Sequence, residues 1–205
     1  MGRIFAFAAV GVAAILLGST AYLKMSSGES EFEQCSVNKI AGGTSSIGGP
    51  FSLIDETGTR VSDTDVLTKP SIIYFGYTFC PDVCPLDSAR NAAAVDLLDE
   101  VGIETTPIFI SIDPARDTPE VLAEYTDVMH DRMIGLTGTE EDVKATSRAY
   151  KTYYKKNEGD DEYYLVDHST FTYLYLPEHG VVEYFNRDDT PEDMANRVAC
   201  FVENS

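Results

Sequence analysis

Two cysteines with three residues between them are the first feature of this chain that could perform chemistry. Cys80 and Cys84 lie in the segment Phe79–Pro85, between an apolar run typical of a buried strand and a stretch with helical periodicity. At the start of a helix, such thiols lie on one face, and the helix N-terminus favours their thiolate forms. The pair suits a reversible disulfide and equally a soft metal ion. In an exported protein, a structural disulfide is a third interpretation.

His168 favours the metal interpretation. It lies between two apparent strands, where a loop could present it, although the alternative is a polar residue that only flanks a strand. Two thiolates and one imidazole match copper, because the soft sulfurs hold Cu(I) and the nitrogen helps to hold Cu(II). Zinc would need a fourth protein ligand for a closed site. Asp167 is a candidate partner for an imidazole N–H, whereas His130, at a predicted helix end, and His179, in a predicted turn, are interpreted as structural.

The elements that must position these residues alternate between strands and helices. The apolar runs and turn signals predict a hairpin at 51–61 and strands at 71–76, 106–112, 133–136, 163–166, 171–176 and 181–185. Helical spacing and capping residues predict helices at 86–98, from Thr118 onward, from 139 to about 155, and from Thr190 onward. This order predicts an α/β domain with a mixed sheet.

The N-terminus determines the predicted compartment. The stretch Ile4–Leu23 has no charged residue, and ~20 apolar residues suffice to span a bilayer as a helix. Arg3 precedes it and a glutamate-rich stretch follows, so the rest of the chain should face the outer side. We predict a transmembrane anchor at 1–25, a flexible tether at 26–49 and a domain at 50–205 in an oxidising compartment. The alternatives are a cleaved signal peptide, which would export the same domain, and a buried core helix.

The charge of the chain limits its partners. Its 205 residues carry a formal net charge of −19, with 43% hydrophobic residues to build a core. Such an acidic chain is repelled by phosphate backbones, so nucleic acid is not expected as a partner.

Several distinctive segments occur in a fixed order along the chain. They are Ile47–Leu53, Tyr74–Thr78, Cys80–Pro85, Ser111–Pro114, Arg116–Pro119, Ile134–Gly138 and Asp167–Ser169. Together they resemble the Sco/SenC/PrrC family of copper proteins over about residues 47 to 200. The resemblance implies an α/β, thioredoxin-like fold with an added N-terminal β-hairpin, preceded by a single transmembrane helix. It also implies one copper ion, Cu(I) or Cu(II), bound by Cys80, Cys84 and His168.

The resemblance further implies a role in assembling the binuclear copper centre of cytochrome c oxidase. As a metallochaperone, the protein would deliver copper to the copper-receiving subunit of the oxidase. As a thiol–disulfide reductase, it would instead keep the copper-ligand cysteines of the target reduced, with Cys80 and Cys84 as the catalytic pair, so whether it is an enzyme stays open. Another copper chaperone or a thioredoxin-like reductant is a further expected partner. The expected location is the bacterial inner membrane, with the domain in the periplasm, or the intermembrane-space equivalent in a mitochondrion.

Two features depart from the family pattern, namely the segment after Cys84 and a second pair of cysteines, Cys35 and Cys200. The segment Leu86–Ala89 replaces the Thr and Leu pattern that the family carries after the second cysteine, so the helix face beside the site is expected to differ. Asp82 falls where the family carries an acidic residue, as a ligand or a charge partner.

A third function, a peroxidase on the same fold, would need a basic partner for one cysteine, with Arg90 and Arg116 as the near candidates.

Cys35 and Cys200 lie outside the copper motif, in the tether and in the last helix. In an oxidising compartment we expect them to form a structural disulfide, which in the chain-entropy account stabilises the fold by at most ~5 kcal/mol. The alternative is a second redox pair or a site for a second copper.

Overall fold

A seven-stranded mixed sheet organises the computed structural model, which describes residues 32–37, 46–159 and 163–205. The strands are β1 (Ser52–Asp55), β2 (Arg60–Ser62), β3 (Ser71–Gly76), β4 (Thr106–Ser111), β5 (Ile134–Thr137), β6 (Tyr154–Lys156), β7 (Val166–His168), β8 (Thr172–Leu176) and β9 (Gly180–Phe185). The helices are α1 (Asp63–Val66), α2 (Val83–Glu100), α3 (Pro119–Met129), α4 (Glu140–Ala149) and α5 (Pro191–Glu203).

The sheet has the strand order β2-β1-β5-β4-β3-β8-β9, while β6 and β7 form a separate antiparallel pair. The two central strands, β3 and β4, are parallel and almost wholly buried, as expected for continuous apolar runs. The predicted hairpin is confirmed as β1 and β2 at one edge, where β1 also pairs with β5. The mixed α/β class is confirmed, and β3 carries the chain directly towards the two cysteines.

Local capping chemistry fixes the helix starts much as the sequence predicts. The Thr118 side chain accepts a hydrogen bond from the Val121 amide, and a proline occupies the first turn of α3. Thr190 and Asp193 form a reciprocal capping box at the start of α5. Helix α2 starts earlier than predicted and includes Cys84, because a proline in the first turn needs no intrahelical donor.

Two predicted elements around the histidine are wrong in extent. The helix predicted to run to about residue 155 ends at Ala149, because Lys151 adopts a left-handed conformation (φ 56°) and the chain turns into β6. The strand predicted at 163–166 is instead β7, and it ends on His168 itself. Its register places Tyr154 opposite His168, so a strand rather than a loop presents the imidazole.

The predicted anchor at 1–25 lies outside the described residues, as does most of the predicted tether. Within the part that the structure describes, no helix is long and apolar enough to cross a membrane. The described pieces of the tether are bonded to the domain. Cys35 forms a disulfide with Cys200, their Cα atoms 5.6 Å apart, and the Gly48 amide donates to the Ala149 carbonyl (2.9 Å).

Candidate metal centre

Cys80 lies in the turn between β3 and α2, where the backbone amides of the helix start face its sulfur. The Cys84 amide donates to Cys80 Sγ (3.4 Å), and the amides of Asp82 and Val83 also contribute hydrogen bonds. Burial disfavours the thiolate, but these donors together with the Cys84 thiol outweigh it and hold the pKa of Cys80 below its usual value. Cys80 is therefore the thiol that ionises first.

Cys84 lies in the first turn of α2 and is fully buried. Burial, together with the adjacent Cys80, raises the pKa of its thiol well above the usual range. The space around its sulfur depends on Gly76, because a Cβ there would come within 3.1 Å of Cys84 Sγ and 2.8 Å of the Tyr74 ring. Both cysteines are free thiols in the structure. The two thiols of the pair thus differ in their readiness to lose a proton.

His168 reaches the cysteines from β7. Its Nε2 lies 3.4 Å from Cys84 Sγ, and its Nδ1 lies 3.1 Å from the Val166 carbonyl oxygen, which assigns the Nδ1 proton to that carbonyl. Burial lowers the pKa of His168, so the ring is neutral at physiological pH and the Nε2 lone pair faces the thiol. The Tyr77 ring packs edge-on against the imidazole, with centroids 5.7 Å apart. The ring is thus oriented as a ligand.

A buried tyrosine lies between the His168 ring and a buried aspartate. The Tyr74 hydroxyl lies 3.4 Å from His168 Nε2 and donates to Asp87 Oδ2 (3.1 Å). Asp87 is 3% exposed and also approaches Arg90 and Arg187, at 3.7 and 3.6 Å. The Asp87 carboxylate thus lies on the far side of the Tyr74 hydroxyl from His168. There it contributes negative charge to the site without contacting the sulfur atoms.

The Cys84 sulfur and the His168 nitrogen already lie at the distance expected for two ligands of one ion. A thiolate and an imidazole bound to one d¹⁰ ion, at zinc-like bond lengths and a tetrahedral angle, lie about 3.5 Å apart. The observed distance between Cys84 Sγ and His168 Nε2 is 3.4 Å. Among the described residues, however, the ligand atoms of Cys80, Cys84 and His168 are not a set that all lie within 4.8 Å of one another. Cys80 must therefore move relative to the other two for one ion to reach all three.

The structure contradicts one predicted role of the two neighbouring aspartates, that of Asp167 as acceptor of the imidazole N–H, and leaves their role as charge partners a prediction. Asp167 does not accept the imidazole N–H, because Val166 does; its carboxylate accepts from Asn157 Nδ2 (2.9 Å) and acts on His168 only through its charge. Asp82 is exposed at the N-cap of α2, and its side chain makes no capping hydrogen bond. Its backbone amide, rather than its carboxylate, is what contacts the Cys80 sulfur.

The two arginines weighed as partners for a peroxidatic cysteine are engaged by other segments. Arg90 donates to the Asn186 carbonyl (2.7 Å) and the Thr172 hydroxyl (2.9 Å). Arg116 pairs with Asp113 and lies 3.6 Å from the centroid of the Tyr164 ring. Arg116 therefore connects its own segment to Tyr164, close to the start of β7. Because both arginines are engaged in this way, the peroxidase hypothesis gains no support.

Among the described residues, the ligand atoms that do lie close enough together for one cation belong to Asp96, Asp99 and His130. His130 Nδ1 accepts the Arg132 amide (3.0 Å), so its Nε2 carries the proton and faces Asp96. The Arg132 guanidinium also pairs with Asp99 at 2.7 Å. A donor proton and a fixed cation already contact these carboxylates, and a structural role of His130 stays a prediction.

Sequence reasoning missed the contribution of Asp87 and Tyr74. Polar residues recur along α2 with the spacing of one helix face, and all of them are buried: Cys84, Asp87, Ser88 and Asn91. A polar stripe at helical spacing within an otherwise alanine- and leucine-rich helix was the available signal. Tyr74 carried no such signal, since an aromatic residue in a buried strand is ordinarily core.

Comparisons with known proteins agree with this architecture. A family model described as SCO1/SenC matches residues 40–203. Protein SenC of Rhodobacter capsulatus is 52% identical over 200 residues, which is 97% of this chain and 90% of that protein. A crystal structure of Arabidopsis thaliana ScoI with copper bound is 42% identical, with a TM-score of 0.73, over 77% of this chain and 99% of that one. Yeast Sco1 with copper bound is 38% identical, with the same TM-score of 0.73, over 78% of this chain and 90% of its own. These matches confirm the resemblance and its thioredoxin-like α/β fold.

Proposed function

The chain belongs to the SCO1/SenC family, and we propose that it binds one copper ion through Cys80, Cys84 and His168. The observation that carries the proposal is the 3.4 Å approach of the buried Cys84 sulfur to the neutral imidazole nitrogen of His168. The relatives whose structures hold copper support copper as the metal. Two soft thiolates with one nitrogen favour Cu(I) and still accommodate Cu(II).

In this proposal Cys80 completes the site. Its thiolate is the more accessible of the two, and it lies on the loop before α2, where a small movement brings it to an ion held by the other ligands. The Cys84 thiol loses its proton when the metal binds, because only the thiolate is a ligand. Gly76 leaves space beside that sulfur, and a hydrogen bond from the Tyr74 hydroxyl favours its thiolate form.

We further propose that the protein passes copper to the copper-receiving subunit of cytochrome c oxidase, as the family resemblance implies. Apolar side chains next to the proposed ligands are exposed, which favours docking of a second protein over the site: Phe79, Leu86, Leu165 and Phe171. Anchoring of residues 1–25 in the bacterial inner membrane, with the domain in the periplasm, would place the site on the side where the oxidase receives copper.

The test is a copper titration of the reduced full chain in nonionic detergent under anaerobic conditions. We expect one Cu(I) per wild-type chain and, with Cu(II), a thiolate-to-copper absorption band. Cys84→Ser should lose both, and His168→Ala should lose the Cu(II) band. His130→Ala is the matched control, because it removes an imidazole from the only other candidate cluster among the described residues. Unchanged binding in His168→Ala would refute the proposed ligand set.

A second function, the thiol–disulfide reductase, is favoured by the inequality of the two thiols. The lowered pKa of Cys80 favours the thiolate that would attack a disulfide between the target cysteines and release one of them as a thiolate. Cys84 would then displace the second target thiolate from the mixed disulfide, which leaves a Cys80–Cys84 disulfide for a thioredoxin-like reductant to reduce. This cycle needs no imidazole. Loss of oxidase assembly in cells that carry Cys84→Ser, with normal assembly in His168→Ala, would select the reductase. Loss in both variants would select copper delivery.

A further inference from the structure

Among the described residues, the lysines and arginines that form no ion pair are gathered in one short part of the chain. Seven of the twelve lysines and arginines among the described residues form an ion pair with a carboxylate: Arg60, Lys69, Arg90, Arg116, Arg132, Arg187 and Arg197. The exceptions all lie between residues 144 and 156: Lys144, Arg148, Lys151, Lys155 and Lys156. Within the described ranges, none of these five has an ion-pair partner. Their clustering is unexpected in a chain with a net charge of −19.

Four of these cations line a cavity of about 590 Å³ between α4 and the β6–β7 pair. We call it the basic groove and define it by Lys144, Arg148, Lys155 and Lys156, all of which are exposed. Asp113 and Glu140 also line the cavity, but Asp113 is already bonded to Arg116 and to the Tyr164 hydroxyl. The groove therefore presents a net positive charge, and it does not include the proposed copper ligands.

A buried hydroxyl lines the same cavity. Ser147 is 2% exposed, and among the described residues its Oγ has no hydrogen-bond partner. Buried hydroxyl groups are nearly always paired, and an unpaired one costs free energy. The exposed ring of Tyr153 also lines the groove, and Lys156 lies 3.7 Å from the centroid of the Tyr164 ring. Aromatic residues and arginine, here Tyr153 and Arg148, are enriched in protein–protein interfaces.

The arrangement of the charges indicates an extended ligand. Lys144 and Arg148 lie one turn apart on α4, ~6 Å along its axis, and Lys155 and Lys156 follow on β6. Arg148 lies in the last turn of the helix, where the dipole is negative and offers no site for a single compact anion. We propose that the basic groove binds a carboxylate-rich segment of a partner protein, with successive carboxylates on successive cations.

The groove also shares a structural element with the candidate metal centre. Its β6 wall pairs with β7, and Tyr154 lies directly opposite His168 in the register. An acidic segment in the groove would thus hold its protein beside His168, while the negative charge elsewhere on the chain would repel that protein from other faces. The proposal concerns residues that bind no metal, so it does not depend on the proposed function.

The test measures binding of a fluorescein-labelled hexaglutamate peptide to the full chain in nonionic detergent by fluorescence anisotropy. Lys144→Gln/Arg148→Gln should weaken binding about tenfold, since each lost surface ion pair contributes up to about 0.7 kcal/mol. The matched control Lys69→Gln/Arg132→Gln changes the net charge equally but lies outside the groove, and it should weaken binding less than twofold. Added salt should weaken peptide binding to the wild type and reduce the difference in affinity between the wild type and the groove variant. Copper stoichiometry should stay the same in both variants.

Three results would overturn this proposal. Equal weakening in the two double variants would assign binding to net charge alone. Displacement of the peptide by inorganic phosphate at similar concentration would assign the groove to a compact anion. Binding to phosphatidylglycerol vesicles that is lost in the groove variant, with no peptide binding, would assign it to a membrane surface. A copper titration that failed in the wild type would refute the proposed function and leave this result standing.

Discussion

The chain contains two pairs of cysteines that have opposite surroundings. Cys35 and Cys200 are joined, and the chain that follows Cys35 is bound by the buried Glu183 carboxylate, which accepts the Val37 amide at 3.1 Å and pairs with Arg197 at 2.9 Å. Cys80 and Cys84 are free, with helix amides on one sulfur and an imidazole beside the other. The first pair is surrounded by groups that hold two segments together.

The second pair is surrounded by groups that set protonation and leave a ligand position open. The comparison shows that the groups around a thiol pair correspond to its use as a crosslink or as a pair of free thiols. What decides that use is whether donors and a neutral imidazole approach the sulfurs, as they do at Cys80 and Cys84.

The largest expected difference between the pairs is in stability. Cys35→Ala/Cys200→Ala should lower the free energy of unfolding by about 3–5 kcal/mol, because the disulfide closes a loop of 165 residues. Cys80→Ala/Cys84→Ala should lower it by less than about 2 kcal/mol, since only the packing of two sulfur atoms is lost. Urea unfolding followed by circular dichroism measures both. Equal losses of unfolding free energy in the two double variants would contradict the different roles assigned to the two cysteine pairs.

The next difference lies within the free pair and depends on pH. Because the pKa of Cys80 is lowered and that of Cys84 is raised, Cys80 loses its proton at lower pH than Cys84 and has the larger thiolate fraction at neutral pH. Iodoacetamide should modify Cys80 more than about tenfold faster than Cys84 at pH 7. The rate at Cys80 should reach its plateau at lower pH than that of a free cysteine. Fragmentation mass spectrometry locates the label, and faster labelling of Cys84 would contradict the assignment.

The smallest effect concerns a residue that touches the ligands without binding metal. Tyr74→Phe removes the hydroxyl that lies between Asp87 and His168 and should lower copper affinity about tenfold. Tyr150→Phe is the matched control, because Tyr150 is equally buried and its hydroxyl has no hydrogen-bond partner among the described residues. Competition with a chromophoric copper chelator measures both affinities. A similar loss in the two variants would make the role of Tyr74 one of packing.

Local rules predicted those parts of the fold that depend on neighbours in sequence. Strand β3 at 71–76 follows from a continuous apolar run, and the starts of α3 and α5 follow from Thr118 and Thr190 as caps. The end of α4 could not be predicted in this way. The segment at 154–156 has helix-forming lysines, but pairing with β7 overrides that preference, and such pairing is not visible in a local pattern.

The candidate site likewise has features that the sequence indicates and features that depend on tertiary contacts. The residue types and the family resemblance named Cys80, Cys84 and His168, and the structure brings Cys84 and His168 together. The acceptor for the imidazole N–H is a backbone carbonyl, that of Val166, which no side-chain pattern could reveal. Asp167 was chosen because it adjoins His168 in sequence, but on a strand adjacent side chains point to opposite faces.

The central claim is that one copper ion is bound by two sulfurs and one nitrogen from Cys80, Cys84 and His168. X-ray absorption spectroscopy at the copper edge, on the Cu(I)-loaded full chain, tests it most directly. The proposal predicts a first shell of two sulfur atoms and one nitrogen atom in the wild type, and loss of the nitrogen in His168→Ala. A shell of oxygen and nitrogen atoms alone, or one unchanged in His168→Ala, would contradict it.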